Sequence, residues 1–349
     1  MDFPEALSCP VPILSHDTVQ LAHGAGGKLS NEMIDKIFLP RFMNSTLEKM
    51  EDQAVLENPG GRIAFSTDTF VVDPIFFPGG DIGDLAINGT VNDIAMSGAI
   101  PKYLSVGFIL EEGLPFETLH RIVLSMEKAA KLAGVQIVTG DTKVVNRGSC
   151  DKLFINTSGF GFVPNGVNIS ASNLEVGDKI LLSGTLADHG MAVMTTREGL
   201  SFQSTVESDT AGLNHLVQDM LAVSTNIHAL RDPTRCGLAT SLNEFSSSSQ
   251  VGIQLYGDAI PVKENVRGAC EILGIDPLYV ANEGKLVAIV PSNVADEMLK
   301  AMHDNEHGKS ATIIGEVTDR HPGIVAMQTG LGANRIVDMP VGEQLPRIC

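Results

Sequence analysis

The chain has 349 residues with 42 acidic against 24 basic side chains, and its formal charge of −18 opposes a phosphate backbone, so nucleic acid is excluded as an expected partner. At 43% hydrophobic, 5% aromatic and 35 glycines it reads as a globular chain of α/β or α+β class, too long for one small core, and two domains are expected. No apolar run approaches the ~18 residues a membrane span needs. Residues 1–6 have neither the basic start nor the apolar core of a signal peptide. The five cysteines, Cys9, Cys150, Cys236, Cys270 and Cys349, are scattered without a C-x-x-C pair. That usage predicts a reduced, cytoplasmic protein and no disulfide framework or zinc site.

Residues 1–20 carry Pro4, Pro10 and Pro12 and read as a lead-in, with Cys9 as an incidental thiol. Next comes His23-Gly24-Ala25-Gly26-Gly27-Lys28, running into a helical pattern through Met33, Ile34, Ile37 and Phe38. A glycine-rich loop entering a helix offers backbone N–H groups to an anion. It is not a Walker A loop, because Ala22 and Leu29 stand where Gly and Ser or Thr are required. Asp52 follows, and then a strand is predicted over 62–72 with Asp68 inside Ser-Thr-Asp-Thr.

Residues 81–99 form the most distinctive stretch. Asp84, Asn88 and Asn92 recur at helical spacing as one oxygen-rich stripe, opposite an apolar stripe of Ile87, Val91 and Ile94. Asp81 with Asp84 three residues on predicts the helix start, and Gly98 with Pro101 its end. Carboxylates beside amide oxygens, with Asp93 next to the stripe and no cation, suit a hard cation such as Mg²⁺. They equally suit an ordinary acidic helix face.

A strand at 103–110, a helix at 115–134, a short strand at 135–138 leading into Thr139-Gly140-Asp141-Thr142-Lys143, and a strand at 153–163 complete an α+β first half. Residues 164–178 carry turn signals and form the expected boundary. The second half is predicted as strand 179–183, a helix after His189, a helix after Arg231-Asp232-Pro233-Thr234-Arg235-Cys236-Gly237, a polar loop at 246–249, strand 251–256, helix 261–273, strand 278–290, helix 293–304 and strand 311–317. His189 is expected as a polar cap or an internally satisfied side chain. Glu283 interrupts the otherwise apolar strand at 278–290, either as a turn residue or as a positioned acid–base group. After Asp338 no period remains, and Gly342 and Pro346 predict a mobile tail. The chain stops on Cys349, a thiol at the tip of that arm, which is either incidental or what a carrier arm needs.

Seven segments together carry a family resemblance: QLAHGAGG (20–27), FSTDT (65–69), FFPGG (76–80), GTVNDIAMSGA (89–99), VTGDTKVV (138–145), ANEGKL (281–286) and the terminal PRIC (346–349). In these the chain resembles the HypE family of nickel-iron hydrogenase maturation factors, within the AIR-synthetase-like (PurM-like) ATP-binding superfamily. The resemblance covers nearly the whole chain, and the terminal PRIC is its most specific part. It implies a two-domain PurM-like fold, α+β then α/β. A lead-in and glycine-rich loop and helix would occupy 1–45, and an ATP-binding, dimerising domain 46–165. A second AIR-synthetase-like domain would span 175–330, with a flexible tail at 338–349. The two first domains of a homodimer would pair their sheets, with nucleotide near the seam.

The activity implied is ATP-dependent dehydration of a carbamoyl group on Cys349 to a thiocyanate. The carbamoyl group would come from a HypF-like partner, and the cyanide group would pass to iron on a HypC–HypD-like complex. Implied roles are Mg²⁺ on Asp52, Asp68, Asp93 and Asp232, and phosphate contact through Gly24, Ala25, Gly26 and Gly27. Asn92, Asp141 and Thr142 complete the nucleotide site. Glu283 is the base that takes the N–H protons, and Lys143 stabilises developing charge unless it merely pairs with Asp141. The family's metal-binding acid matches Asp93 and not Asp84, which reverts to a helix-start charge. One departure is visible: Cys236 stands where the family has Gly. Alternatives in other classes are a sibling PurM-like synthetase or kinase, none of which needs a terminal Cys, and a non-enzymatic, ATP-gated carrier.

Overall fold

The computed structural model describes residues 12, 14–24, 28–49, 56, 60–200, 205–330, 332–340, 345 and 348. Four strands, β1 (Arg62–Phe70), β2 (Ile100–Glu111), β3 (Gln136–Val145) and β4 (Leu153–Val163), build the first sheet in the order β1-β4-β2-β3. Only the β2–β3 pair is parallel, and the crossover between them is a helix. Helices α1 (Ile82–Ala95) and α2 (Phe116–Ala133) cover one face of this sheet.

The start of α1 is set by the anticipated capping box. The Asp81 carboxylate accepts from the Gly83 and Asp84 N–H groups at 2.7 and 3.3 Å, and Asp84 accepts from the Asp81 N–H at 3.1 Å. Gly98, left-handed at φ +76°, ends it. Both sides of α1 are buried, so its oxygen stripe faces protein and not water: Asn88 and Asn92 are 7% and 1% exposed. The opposite face of the sheet is open, and Ile63, Phe65 and Ile109 stand exposed on it.

Residues 164–178 hold no helix or strand. Beyond them β5 (Lys179–Leu182), β6 (Ala229–Arg231), β7 (Gly252–Tyr256), β8 (Val287–Val290), β9 (Thr312–Thr318), β10 (Val325–Gln328) and β11 (Asn334–Ile336) form a second sheet, ordered β11-β10-β7-β9-β5-β8-β6. Helices α3 (Asp188–Arg197), α4 (Asn214–Val223), α5 (Gly237–Ser249), α6 (Glu264–Leu273) and α7 (Ala295–Asp304) accompany it.

Three expectations are corrected. The single strand at 278–290 is instead a 3₁₀ turn (Pro277–Tyr279), an irregular segment and the short β8. The cause is Asn282, whose amide donates to the Pro233 and Val280 carbonyls at 3.0 Å each and accepts from the Ala187 N–H at 2.8 Å, pulling the chain out of the ladder. The polar residues 246–249 finish α5, because Ser246 and Ser249 donate to the Val251 and Ala171 carbonyls. The short strand at 135–138 runs on to Val145 as β3.

One apolar cluster joins α1, α2 and the first sheet to Met191 and Val193 of α3, Val266 of α6, and Val280 and Ala281. Of the tail, Asp338 and Met339 are exposed, whereas Leu345 and Ile348 are buried in that cluster.

Candidate active site

The expected site residues fall in two regions. The first is the junction between the halves. Asp68 lies on β1, and its carboxylate reaches α1 at Gly89, where an added Cβ would stand 3.6 Å from Asp68 Oδ2 and 2.9 Å from the Phe70 ring. Gly89 is therefore what lets helix and strand approach here. Asp93, on α1, accepts from the Ser66 hydroxyl at 2.6 Å. Asp232 follows β6. Glu283 is presented by the irregular segment, where Gly284 has no room for a side chain: an added Cβ would lie 1.7 Å from the Asp209 carbonyl oxygen. Asp209 also accepts from the Glu283 N–H at 3.2 Å and pairs with Lys285 at 3.0 Å.

These carboxylates repel one another in a desolvated space. Burial, then the charge of Asp93, pushes Asp232 up to about 7. Burial, followed by Asp232 and Asp209, holds Glu283 well above the ordinary carboxylate range. Asp68 and Asp93 are raised by burial too, although Arg235 lies near enough to lower both. The Glu283 Oε1 atom is buried without a hydrogen-bond partner. A set of hard oxygen donors with excess negative charge fits a divalent cation in donor type and charge. Among the described residues, no three Asp, Glu, His or Cys side chains already converge on a single ion position. Asp52 lies outside the described residues.

The second region is a cavity of about 800 Å³ between the amino-terminal helix and β2–β3. Its lining includes His23, Gly24, Ile34 and Phe38 on one side and Gly140, Asp141, Thr142, Lys143 and Asn156 on the other. Ile34–Phe38 is one turn of π-helix, an irregularity common at functional sites. Gly24 lies so close to β3 that a Cβ would stand 2.5 Å from the Val144 nitrogen. Lys143 and Asp141, two apart on β3 and so on one face, pair at 2.9 Å. The ion pair weighed as the alternative for Lys143 is therefore present, on a strand and not a loop.

Gly24, Asp141, Thr142 and Lys143 thus gather around one cavity, whereas Asp68, Asp93, Asp232 and Glu283 do not line it. Asn156 links the two regions: it lines the cavity and donates to the Asp68 carbonyl at 2.8 Å. Asn92 stands apart from the cavity, its amide bonded to the Ala211 and Glu283 carbonyls and the Leu213 N–H at 3.0, 3.3 and 2.7 Å. Ala25, Gly26, Gly27 and Cys349 lie outside the described residues. Asp209, Asn156 and the tail contact of His189 carried no sequence signal, since their partners are remote in the chain. Cys236 is left-handed at φ +60°, the conformation in which the family's glycine is free of strain.

Residues 50–163 match the family described as AIR synthase related protein, N-terminal domain, and residues 175–328 its C-terminal domain. The carbamoyl dehydratase HypE of Azotobacter vinelandii is 51% identical over 336 residues, covering 96% of this chain and 98% of that protein. The chain belongs to the HypE family. A crystal structure of the hydrogenase maturation protein HypE in complex with ATP superposes at TM-score 0.91 with 50% identity, over 95% of this chain and 99% of that one. The crystal structure of a HypE–HypF complex superposes at TM-score 0.78 with 51% identity, over 88% and 99% of the two chains. The PurM-like two-domain fold is that of this family. Among the described residues, no helix is long and apolar enough to cross a membrane.

Proposed function

We propose that this HypE-family chain is an ATP-dependent carbamoyl dehydratase that converts a thiocarbamate on Cys349 to a thiocyanate, the source of a cyanide ligand for hydrogenase iron. The observation that carries this reading is the buried, unpartnered Oε1 of Glu283, whose proton affinity is raised by burial and by the charges of neighbouring aspartates, Asp232 foremost. An amide oxygen leaves poorly, so the carbamoyl oxygen first attacks the γ-phosphate and ADP departs. The resulting phosphate ester is eliminated as inorganic phosphate while the two N–H protons are lost and the C≡N bond forms. Glu283 takes those protons one at a time, releasing the first to water before it accepts the second, and burial gives it the proton affinity the step requires.

The cavity bounded by Gly24, Asp141 and Thr142 has the size of a nucleotide site. Lys143 on its wall offsets charge developing on the transferred group. Asp68, Asp93 and Asp232, with Asp52, would hold Mg²⁺, whose chemistry there is to neutralise phosphate charge. The exposed Ile63, Phe65 and Ile109 on the open sheet face support pairing with a second copy. Such a homodimer would bring a partner's residues to the cavity, and sedimentation at micromolar concentration tests it: a nucleotide-competent monomer would refute it. The kinship to a HypE crystallised with HypF supports a HypF-like carbamoyl donor, with a HypC–HypD-like iron carrier as acceptor.

The reading is tested by mass spectrometry of the C-terminal peptide after incubation with a carbamoyl-donating partner and ATP. Loss of one water from carbamoylated Cys349, dependent on ATP, is expected. A stable carbamoyl adduct in the presence of ATP refutes it.

A further inference from the structure

We infer that His189 is a positioning residue for the reaction: its imidazole grips the main chain of the tail and fixes where Cys349 is held. The Nε2 atom of His189 lies 2.8 Å from the carbonyl oxygen of Ile348, the residue before Cys349. A carbonyl oxygen only accepts, so Nε2 carries the proton and Nδ1 accepts from the Ser208 hydroxyl at 2.8 Å. The Ser208 hydroxyl in turn accepts from the Thr210 N–H at 3.1 Å, and the Ser208 N–H donates to the Pro78 carbonyl at 2.8 Å. Both ring nitrogens are committed, and the tautomer that donates to the tail is the one this network selects.

The ring is fully buried and stands edge-on to Phe77 at 5.3 Å, so it has no freedom to turn away. Its backbone is equally constrained. Ala187 is held left-handed at φ +73°, a strained state for a residue with a side chain. Its N–H is bound by Asn282, the neighbour of Glu283. The N–H of Gly190 donates to the Ala281 carbonyl at 3.1 Å. The short stretch carrying His189 is thus tied on both flanks to the segment that presents Glu283. Holding Ile348 from that stretch holds the residue one Cα step (~3.8 Å) beyond it in the same frame as the base. A carrier thiol must meet its base in a narrow range of geometry, and a hydrogen bond to the adjacent peptide restricts that range.

The inference rests on Cys349 being the carrier, and the test separates the two claims. In full-length protein, peptide-resolved mass spectrometry follows alkylation of Cys349 by iodoacetamide. In parallel, single-turnover dehydration of pre-carbamoylated protein is measured as ATP is varied. His189→Phe keeps an aromatic ring but removes the donor. It should raise the Cys349 alkylation rate and lower the dehydration rate by about tenfold each, with the ATP concentration for half-maximal rate unchanged. His189→Gln, whose amide N–H can replace Nε2–H, should recover most of both. Unchanged alkylation and dehydration in a folded His189→Phe protein overturn the inference. So does equal impairment of the Phe and Gln variants, since packing and not the bond would then matter. Should His189→Phe fail to fold, Ser208→Ala, which frees the tautomer but leaves the ring, should raise alkylation by about threefold; an unchanged rate there overturns it as well. Dehydration persisting in Cys349→Ser would refute the carrier reading itself, while tail docking would still be read in the Cys349 protein by alkylation.

Discussion

Asn92 and Glu283 are joined across the two halves of the chain: the Asn92 amide, on α1, donates to the main-chain carbonyl of Glu283 at 3.3 Å. The same side chain bonds to Ala211 and Leu213, so one buried amide ties the first half to both segments that frame the candidate base. Asn92→Ala would leave the Ala211 carbonyl and the Leu213 N–H without their partner, while the Glu283 carbonyl keeps the Ala211 N–H at 3.4 Å. It should destabilise the protein by about 3 kcal/mol or more in urea unfolding. If Asn92 acts as a clamp, nucleotide affinity in the folded variant stays within about threefold. A large affinity loss without destabilisation would instead make Asn92 a nucleotide contact.

Asp93→Asn keeps the shape of the side chain and removes one negative charge from the junction. ATP-dependent phosphate release should fall by a factor of about a hundred or more if that charge holds the cation. The folded state should not suffer, because burial and the charge of Asp93 are what push Asp232 up to about 7. An unchanged thermal midpoint with lost turnover is the expected pair of results. Unchanged turnover would remove Asp93 from the metal site.

Cys236 occupies a left-handed position at φ +60°, immediately before Gly237 at φ +62°. Cys236→Gly relieves the strain of a side chain in that region and should stabilise the chain by about 0.5–1 kcal/mol, after the extra chain entropy of glycine. Gly237→Ala should do the reverse. Its Cβ would stand 2.6 Å from the carbonyl oxygens of Leu278 and Val280, on the approach to Glu283. Paired thermal unfolding curves check both signs.

The pH response of the tail dock follows from His189. Burial lowers its proton affinity below the ordinary histidine value of 6.5, with Asp209, itself paired with Lys285, and the Ile348 carbonyl opposing. Above about pH 6.5 the ring is neutral in both folded and unfolded chains, and its contribution is complete. Below that, the unfolded ring binds a proton first, so stability falls as the pH drops. The slope from this residue is at most about 1.4 kcal/mol per pH unit. His23, His120 and His307 are lowered by burial as well, so the informative quantity is a difference. His189→Gln should lose less stability than the parent protein between pH 7.5 and 5.5, measured by urea midpoints. Equal losses would show that His189 does not titrate in this way.

How much of this was legible in the chain depends on how local each cause is. The capping box of α1 could be read from Asp81 and Asp84, because donors and acceptors lie within three residues. The glycine loop, Asp141 and Lys143 were readable as a resemblance, and the cavity gathers their described members. Glu283 stands out in the sequence but the break in the strand around it does not, because the irregular segment is made by Asn282 bonding to Pro233, 49 residues away. Helix α4 is not among the elements expected from the sequence, although Leu216, Val217 and Met220 face the interior. The contact that docks Ile348 has no sequence signal, because its anchor, His189, lies 159 residues away. Local chemistry is visible in sequence order, whereas these long-range partners become visible only when the chain is folded.

The apolar cluster that runs from α1 and α2 through Met191 and Val266 to Ile348 has a consequence for cooperativity. Two sequence domains that share a core cannot melt independently, since unfolding either one strips the other of its covering surface. Calorimetry should therefore record one transition for the whole chain, and a fragment ending near residue 165 should show weak protection against hydrogen exchange. Destabilising substitutions in α1 and in α3 should then lower the same midpoint, however far apart they lie in sequence.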